Sequence, residues 1–262
     1  ANPQQEWQTY RQQEQSAMGG NWASAIAFGP DGSVWMSIIN GSASRFQNNQ
    51  WQSFKDVYSY NAVAVDEQNR AWLADDSKGV AVLDSQGNQV MTLTTAEGLP
   101  GDNVQAVLVD ESGTVWIGTN QGLAKYANNS LSVVFGKDSK EIPNVYIRAL
   151  ALDPSGNLLI GTFTGVSVFD GQNATTLVDF LKDGYSNARL TTLASGADGE
   201  VWIGTDKGLL HGNPEMGWNM MTTANGLLTN YISALLVDQY GAVWVGGGGS
   251  NLDGGGLLQI VR

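Results

Sequence analysis

Few residues in this sequence have side chains suited to acid–base, nucleophilic or metal chemistry. His211 is the one histidine and cysteine is absent, so a catalytic dyad or a zinc site built on either residue type would lack its second member. We expect His211 to lie in an exposed loop just beyond a short β-strand. The sequence therefore predicts no catalytic residue, no metal site and no cofactor.

Two other patterns are superficially like ligand loops. Asp-x-x-Gly segments recur along the chain, but they lack the alternating oxygen ligands and the closing glutamate of a calcium loop. Aspartate is also common in turns. The run from Gly246 to Gly249 follows a predicted strand but leads into no helix whose N-terminus could hold a phosphate. Both patterns therefore predict turns or flexible loops.

The charge of the chain argues against one class of partner. Its 262 residues include 13 lysines and arginines against 25 aspartates and glutamates, which gives a net charge of −12 and a pI near 4.3. Such a protein repels a phosphate backbone, so we expect no nucleic-acid binding. No apolar run approaches the roughly 18–20 residues that span a bilayer, so no membrane insertion is expected. The lack of cysteine fits the cytosol or bacterial export, and a start at Ala1 without methionine favours an extracellular or periplasmic protein.

A repeated sequence motif shows how the chain is organised. It reads DESGTVWIGTNQGLAKY from Asp110, DPSGNLLIGTFTGVSVF from Asp153 and GADGEVWIGTDKGLLHG from Gly196, and three weaker copies accompany these. Each copy has one large apolar anchor: Trp35, Trp72, Trp116, Leu159, Trp202 and Trp244. The anchors are 37, 44, 43, 43 and 42 residues apart. This period is typical of β-propellers, in which one four-stranded blade takes roughly 40–50 residues.

Each copy also predicts two hairpin turns. Three residues before each anchor stands a residue that adopts positive φ at low cost: Gly32, Asn69, Gly113, Gly156, Gly199 and Gly241. A second glycine after the anchor marks another reversal: Gly41, Gly79, Gly122, Gly165, Gly208 and Gly256. No helical pattern of about 10–15 residues intervenes, so we predict an all-β protein.

The two ends of the chain are predicted to share one blade. The sixth copy stops at Arg262 without an outer strand, whereas the N-terminal segment Glu6 to Tyr10 resembles the outer strand Gln50 to Phe54. We therefore predict one six-bladed β-propeller over residues 1–262, in which residues 1–10 complete the last blade and remove an open sheet edge. The predicted blades cover residues 21–54, 58–93, 102–134, 145–177, 188–221 and 230–262.

The amino-acid sequence of the repeat is similar to that of a known family. The phrases W-I-G-T at Trp116 and Trp202, E-G-L-P at Glu97 and N-G-L at Asn225 resemble two-component regulator propeller repeats. This resemblance implies a β-propeller of the kind that forms sensory ectodomains of bacterial sensor kinases. More distantly, the turns resemble those of virginiamycin B lyase, a resemblance that implies a catalytic histidine with a magnesium-binding acidic neighbour. His211 is flanked instead by leucine and glycine.

One set of polar and aromatic residues recurs at the start of the innermost strands. Ring closure would bring this set to one channel entrance, on the face that carries the turns between second and third strands. The candidate ligand-binding residues are Trp22, Asn61, Asn103, Gln105, Tyr146, Arg148, Arg189 and Tyr231. Aromatic and amide groups suit sugars or peptides, and two arginines in an acidic protein suit a carboxylate or a uronic acid. Alternatively, the aromatic residues pack between blades and each arginine pairs with an acidic residue of the next blade.

These residues favour a non-catalytic binding or sensory module that engages a glycan, a peptide or a protein partner at the channel entrance. Two alternatives use the same fold. A lyase or a glycan-active enzyme would rely on carboxylates that converge only in three dimensions. A structural or assembly protein would pack an exposed apolar surface against copies of itself or against a larger complex.

Overall fold

Six antiparallel β-sheets follow one another along the chain and surround a common axis. The computed structural model describes residues 9–14, 17–39, 41–58, 61–248 and 256–261. Within those residues, five sheets have four strands each and the last has three. The first strand of each sheet lies innermost, where it packs against the first strand of a neighbouring sheet. The predicted all-β, six-bladed propeller is confirmed.

The first three blades each contain four short strands in chain order. Blade one consists of β1 (Ala23–Phe28), β2 (Val34–Ile38), β3 (Ser42–Gln47) and β4 (Gln50–Tyr58). Blade two consists of β5 (Ala62–Val65), β6 (Ala71–Ala74), β7 (Val80–Leu83) and β8 (Gln89–Leu93). Blade three consists of β9 (Val104–Val109), β10 (Val115–Thr119), β11 (Gly122–Ala127) and β12 (Ser130–Phe135).

The last three blades repeat this order, except that blade six has three described strands. Blade four consists of β13 (Ile147–Leu152), β14 (Leu158–Thr162), β15 (Gly165–Phe169) and β16 (Ala174–Asp179). Blade five consists of β17 (Leu190–Ser195), β18 (Val201–Thr205), β19 (Leu209–Asn213) and β20 (Gly217–Met221). Blade six consists of β21 (Ile232–Val237), β22 (Val243–Gly247) and β23 (Gly256–Ile260). A single 3-10 turn, Thr223–Asn225, precedes it, and no helix of the described residues is long and apolar enough to cross a membrane.

The hairpin turn between the first and second strands has the predicted backbone in all six blades. Its φ is positive at every predicted position, from 58° at Asn69 to 82° at Gly156. In the second glycine series, Gly79, Gly122 and Gly208 also have positive φ, and these three permit a close approach as well. A Cβ atom on Gly122 would lie 2.0 Å from the carbonyl oxygen of Phe135, the last residue of the outer strand. Glycine therefore lets the outer strand lie against the start of the third strand.

An aspartate–tryptophan contact ties the first turn to the second strand. Oδ2 of Asp110 accepts a hydrogen bond from the indole Nε1 of Trp116 at 2.8 Å, and Oδ1 accepts the backbone N–H groups of Ser112 and Thr114. The same indole contact, at 2.9 Å, recurs in two other blades: Asp66 with Trp72, and Asp238 with Trp244. The carboxylates of these turns thus accept hydrogen bonds from the protein's own N–H groups. This agrees with the expectation that the Asp-x-x-Gly segments form turns.

Small residues in the second strands let neighbouring blades approach closely. A Cβ atom on Gly118 would lie 2.6 Å from Cγ2 of Ile147 in the next blade, and one on Gly204 would lie 2.9 Å from Cγ2 of Ile232. Such distances are well inside van der Waals contact, so only glycine fits without movement. The glycine of the W-I-G-T phrase is therefore a packing requirement of the ring.

The predicted closing strand, Glu6 to Tyr10, lies largely outside the described residues, which begin at Thr9. Tyr10 is described, and its ring packs against blade one, with centroids 5.2 Å from Phe46 and 5.5 Å from Trp51. Blade one also differs slightly from prediction, because its outer strand continues to Tyr58 instead of stopping at Phe54.

Candidate functional site

One face of the propeller carries a repeated rim. In five blades, the carbonyl of the residue just before the innermost strand accepts a hydrogen bond from a backbone N–H of the turn after the second strand. The five accepting residues are Trp22, Asn103, Tyr146, Arg189 and Tyr231. The structure thus places these predicted residues on the same face as those turns. Each rim residue is thus tied to the neighbouring turn by a backbone hydrogen bond.

Three of the predicted residues form a continuous hydrogen-bonded chain between blades three and four. Nη1 of Arg148 donates to Oε1 of Gln105 at 3.0 Å. Nε2 of Gln105 in turn donates to Oδ1 of Asn103 at 2.6 Å. Because both ends of the Gln105 amide make hydrogen bonds, its orientation is fixed, and it links Arg148 of blade four to Asn103 of blade three.

A stack of two rings continues the site from blade four to blade five. The rings of Tyr146 and Phe163 lie 5.8 Å apart with an interplanar angle of 13°. The Arg148 guanidinium carbon lies 5.8 Å from the Tyr146 ring, and that of Arg189 lies 5.1 Å from the Phe163 ring. Two cations therefore flank two stacked rings, an arrangement that cation–π attraction favours.

Phe163 is a site residue that the sequence analysis missed. It occupies the turn between β14 and β15, where blade three has Asn120 and blade five has Asp206 at the same repeat position. An aromatic residue in an otherwise polar turn was the available signal. Aligning the innermost strands could not identify Phe163, because Phe163 lies in the turn between the second and third strands.

The two arginines have no carboxylate partner within 4.0 Å among the described residues. Nε of Arg148 is buried and makes no hydrogen bond there, while Arg189 is exposed. One acidic group lies beside them: Oδ1 of Asp206 accepts the backbone N–H of Arg189 at 2.9 Å, and its Oδ2 is 4.0 Å from Nζ of Lys207. The alternative that each arginine is neutralised by a neighbouring blade is therefore wrong for the described structure.

The other three predicted residues make no side-chain contact with this cluster among the described hydrogen bonds and ring contacts. Asn61 donates from Nδ2 to the carbonyl of Val104 in the next blade at 2.7 Å, so it links two innermost strands. Trp22 and Tyr231 lie on blades one and six, with 67% and 42% of their surfaces exposed.

His211 does not lie in an exposed loop, and that prediction is wrong. It is part of β19, where it pairs across the sheet with Trp202. The imidazole stacks on the Trp202 ring at 4.6 Å, and Nδ1 lies 2.6 Å from Oε1 of the buried Glu200. Since Trp202 stands near the first turn of its blade, this pair lies towards the face opposite the rim. The prediction ended this strand before His211, whereas the strand continues to Asn213.

The sequence matches the family model described as two component regulator propeller over residues 98–121 and 226–249. Each match covers the linker before a blade and its first two strands, in blades three and six. No curated protein matches the sequence.

Solved structures share the fold at low sequence identity. The extracellular domain of a hybrid two component system from B. thetaiotaomicron superposes with a TM-score of 0.73 at 20% identity, over 91% of this chain. Virginiamycin B lyase from Staphylococcus aureus gives 0.67 at 10% identity, over 91% of this chain and 84% of its own.

A third relative, the secretion-system surface component PorZ of Porphyromonas gingivalis, gives a TM-score of 0.61 at 15% identity, over 88% of this chain and 39% of its own. The chain spans about 33% of the length of the B. thetaiotaomicron ectodomain. Two segments of this chain thus match the two component regulator propeller model, and the chain has a propeller fold that a two component ectodomain and a lyase share.

Proposed function

We propose that this protein is a non-catalytic ligand-binding module of a sensory type, and that its ligand binds at the rim formed by blades three, four and five. One observation carries the proposal. Two guanidinium groups without carboxylate partners among the described residues flank a stack of aromatic rings, in a chain of net charge −12. The fold shared with two component ectodomains supports the sensory role and a location outside the cytoplasm.

The chemistry of the rim selects a ligand with an anionic and a flat apolar part. A guanidinium binds a carboxylate through paired N–H donors, and such charge-assisted hydrogen bonds are about twice as strong as neutral ones. Arg189 is exposed and available for this contact, and Arg148 has a buried Nε without a partner in the described structure. The Tyr146 and Phe163 rings supply an adjacent stacking surface. A uronic-acid-containing glycan combines both requirements.

The direct test compares an acidic sugar with its neutral counterpart. We expect a galacturonate trisaccharide to bind by calorimetry, and the corresponding galactose trisaccharide to bind at least tenfold more weakly. Added salt should weaken the acidic ligand selectively, because the contact is electrostatic. Equal affinity for both sugars, or no binding of either, would contradict the proposed ligand class.

Charge-removing variants locate the binding site. Arg148→Gln and Arg189→Gln should each weaken galacturonate binding by roughly tenfold, the effect of losing one charge-assisted hydrogen bond. Lys55→Gln is the matched control, because it removes one positive charge from an exposed position on the outer strand of blade one. If the control weakens binding as much as the arginine variants do, the rim is not the site.

A further inference from the structure

The two arginines of the site lie at different depths in the ring. Arg148 is the extra residue of a β-bulge in β13, because its two neighbours pair with consecutive residues of β14. In blade five the same bulge falls at Thr191, and Arg189 lies two residues before it, just ahead of β17. Two residues of a strand span roughly 6–7 Å. Arg148 therefore lies further from the rim than Arg189 by about that length of strand.

The two arginines also contact different rings of the aromatic pair. The Arg148 guanidinium lies 5.8 Å from the Tyr146 ring, and its Nη1 reaches Gln105 in blade three. The Arg189 guanidinium, which belongs to blade five, lies 5.1 Å from the Phe163 ring. The two rings stack 5.8 Å apart and stand between the cations. The guanidinium groups therefore form two separate positive sites.

One edge of the Arg148 guanidinium carries a buried donor that the protein does not use. Gln105 accepts from Nη1, whereas the buried Nε has no hydrogen-bond partner in the described structure. Nε and Nη2 lie along one edge of the group, where a carboxylate can accept from both through its two oxygens. A buried N–H without a partner is costly, so a ligand oxygen at this edge is favoured. Arg148 thus forms an inner site for one carboxylate.

Arg189 forms an outer site on a well-anchored backbone. Its backbone N–H donates to Oδ1 of Asp206 at 2.9 Å, and its carbonyl accepts the backbone N–H of Asp206 at 3.1 Å. Its exposed guanidinium makes no ion pair with any residue that the structure describes. The guanidinium donors of Arg189 are therefore available to a second carboxylate.

Building on the proposed function, we infer that the ligand carries carboxylates on two different sugar units, one bound by Arg148 and the other by Arg189. A carboxylate that makes paired hydrogen bonds with one guanidinium uses both of its oxygens. A single carboxylate would thus leave one of the two sites empty. The ligand class narrows to an oligouronide of two or more uronate units, whose sugar backbone passes along the Tyr146 and Phe163 rings.

The charge of the chain strengthens the requirement for two cations. A protein of net charge −12 repels an anionic ligand at long range. Each carboxylate of the ligand therefore needs a local cation to offset this repulsion. Arg148 and Arg189 supply one cation for each of two carboxylates.

Ligands that differ in the number of carboxylates test the inference on the unsubstituted protein. The probes are trigalacturonate and two trisaccharides of the same linkage, each with one terminal galacturonate and two galactose units. In calorimetry, each singly charged trisaccharide should bind at least tenfold more weakly than trigalacturonate, because one arginine loses its charge-assisted hydrogen bonds. Each should still bind more tightly than the neutral galactose trisaccharide.

Arginine variants show whether the two sites act separately. The effects of Arg148→Gln and Arg189→Gln on trigalacturonate affinity should multiply in the double variant, because separate sites contribute independently. A singly charged trisaccharide should respond mainly to one of the two substitutions. Lys55→Gln, which removes an exposed positive charge from blade one, is the control and should change these affinities less than twofold. Thermal melting checks that each variant is folded.

Two results would overturn the inference while leaving acidic-sugar binding intact. One is equal affinity for trigalacturonate and a singly charged trisaccharide. The other is a double variant that binds no more weakly than the more damaging single variant, which would mean that one carboxylate bridges both arginines. If trigalacturonate binds no better than the neutral trisaccharide, or neither binds, the proposed function and the two-carboxylate ligand both fail.

Discussion

At the residue scale, the first turn of each blade depends on one residue with positive φ. Gly113 has φ of 79°, and a Cβ atom built on it would meet nothing within 4 Å. The conformation, and not lack of space, therefore requires glycine. We predict that Gly113→Val lowers the free energy of unfolding by about 1–3 kcal/mol, because a β-branched residue is strained there. Chemical denaturation measures this loss.

Gly136→Val is the matched control for that strain. Gly136 lies in the loop after β12, has no positive φ, and its nearest neighbour to a Cβ atom is Cγ1 of Val133 at 3.8 Å. We expect this substitution to change the free energy of unfolding by much less than Gly113→Val does. Equal losses would show that added bulk, and not backbone conformation, explains the result.

At the element scale, the Asp110–Trp116 contact joins a turn to a strand and makes blade three sensitive to acid. Burial alone would raise the pKa of Asp110, but its hydrogen bonds with Ser112, Trp116 and Thr114 outweigh burial and hold the pKa below 3.8. A lowered folded-state pKa stabilises the protein above the unfolded value, and this stabilisation is lost as pH falls through the folded pKa. Stability should therefore decline below about pH 4.

We predict that Asp110→Asn costs about 1–2 kcal/mol at pH 7, because the amide cannot serve every donor now facing the carboxylate. The variant should also lose less stability than the parent between pH 5 and pH 3, as measured by thermal melting across that range.

Asp153→Asn is the control for this prediction. Asp153 makes the same turn with Ser155 and Asn157, but the anchor of blade four is Leu159, whose side chain has no N–H group. Oδ2 of Asp153 instead accepts Nδ2 of Asn157 at 2.9 Å, and that amide can rotate to accept a hydrogen bond from the new asparagine. The control should therefore cost less at pH 7. An acid response of Asp110→Asn identical to that of the parent would disprove the role of this carboxylate.

At the scale of the whole molecule, ring closure should decide whether the six blades unfold as one unit. If the N-terminal segment supplies the fourth strand of blade six, deleting residues 1–10 leaves that blade with a free edge, and we predict aggregation or a broad, less cooperative melting transition. Light scattering and calorimetry measure the two effects. Deleting residues 1–4 is the control, because it spares the segment from Glu6 to Tyr10 and should melt as the parent does. An unchanged transition after the longer deletion would contradict closure by this segment.

The local pattern determined most of the architecture. The spacing of anchors such as Trp116 and Trp202 predicted six blades, and glycines such as Gly113 predicted the turns, because strand periodicity and positive φ are properties of a few neighbouring residues. The same alignment placed Tyr146 and Arg189 on one face, since equivalent repeat positions occupy equivalent places around an axis.

Only the tertiary structure decided which side chains meet. The contact of Gln105 with Arg148 and the stack of Tyr146 on Phe163 depend on how closely and at what angle neighbouring parts approach, and no local pattern specifies that. His211 shows the same limit, because its strand position is stabilised by Trp202 and Glu200 and not by its own preference. The sequence alone thus determined the repeat and its turns, whereas packing between and within blades determined the site.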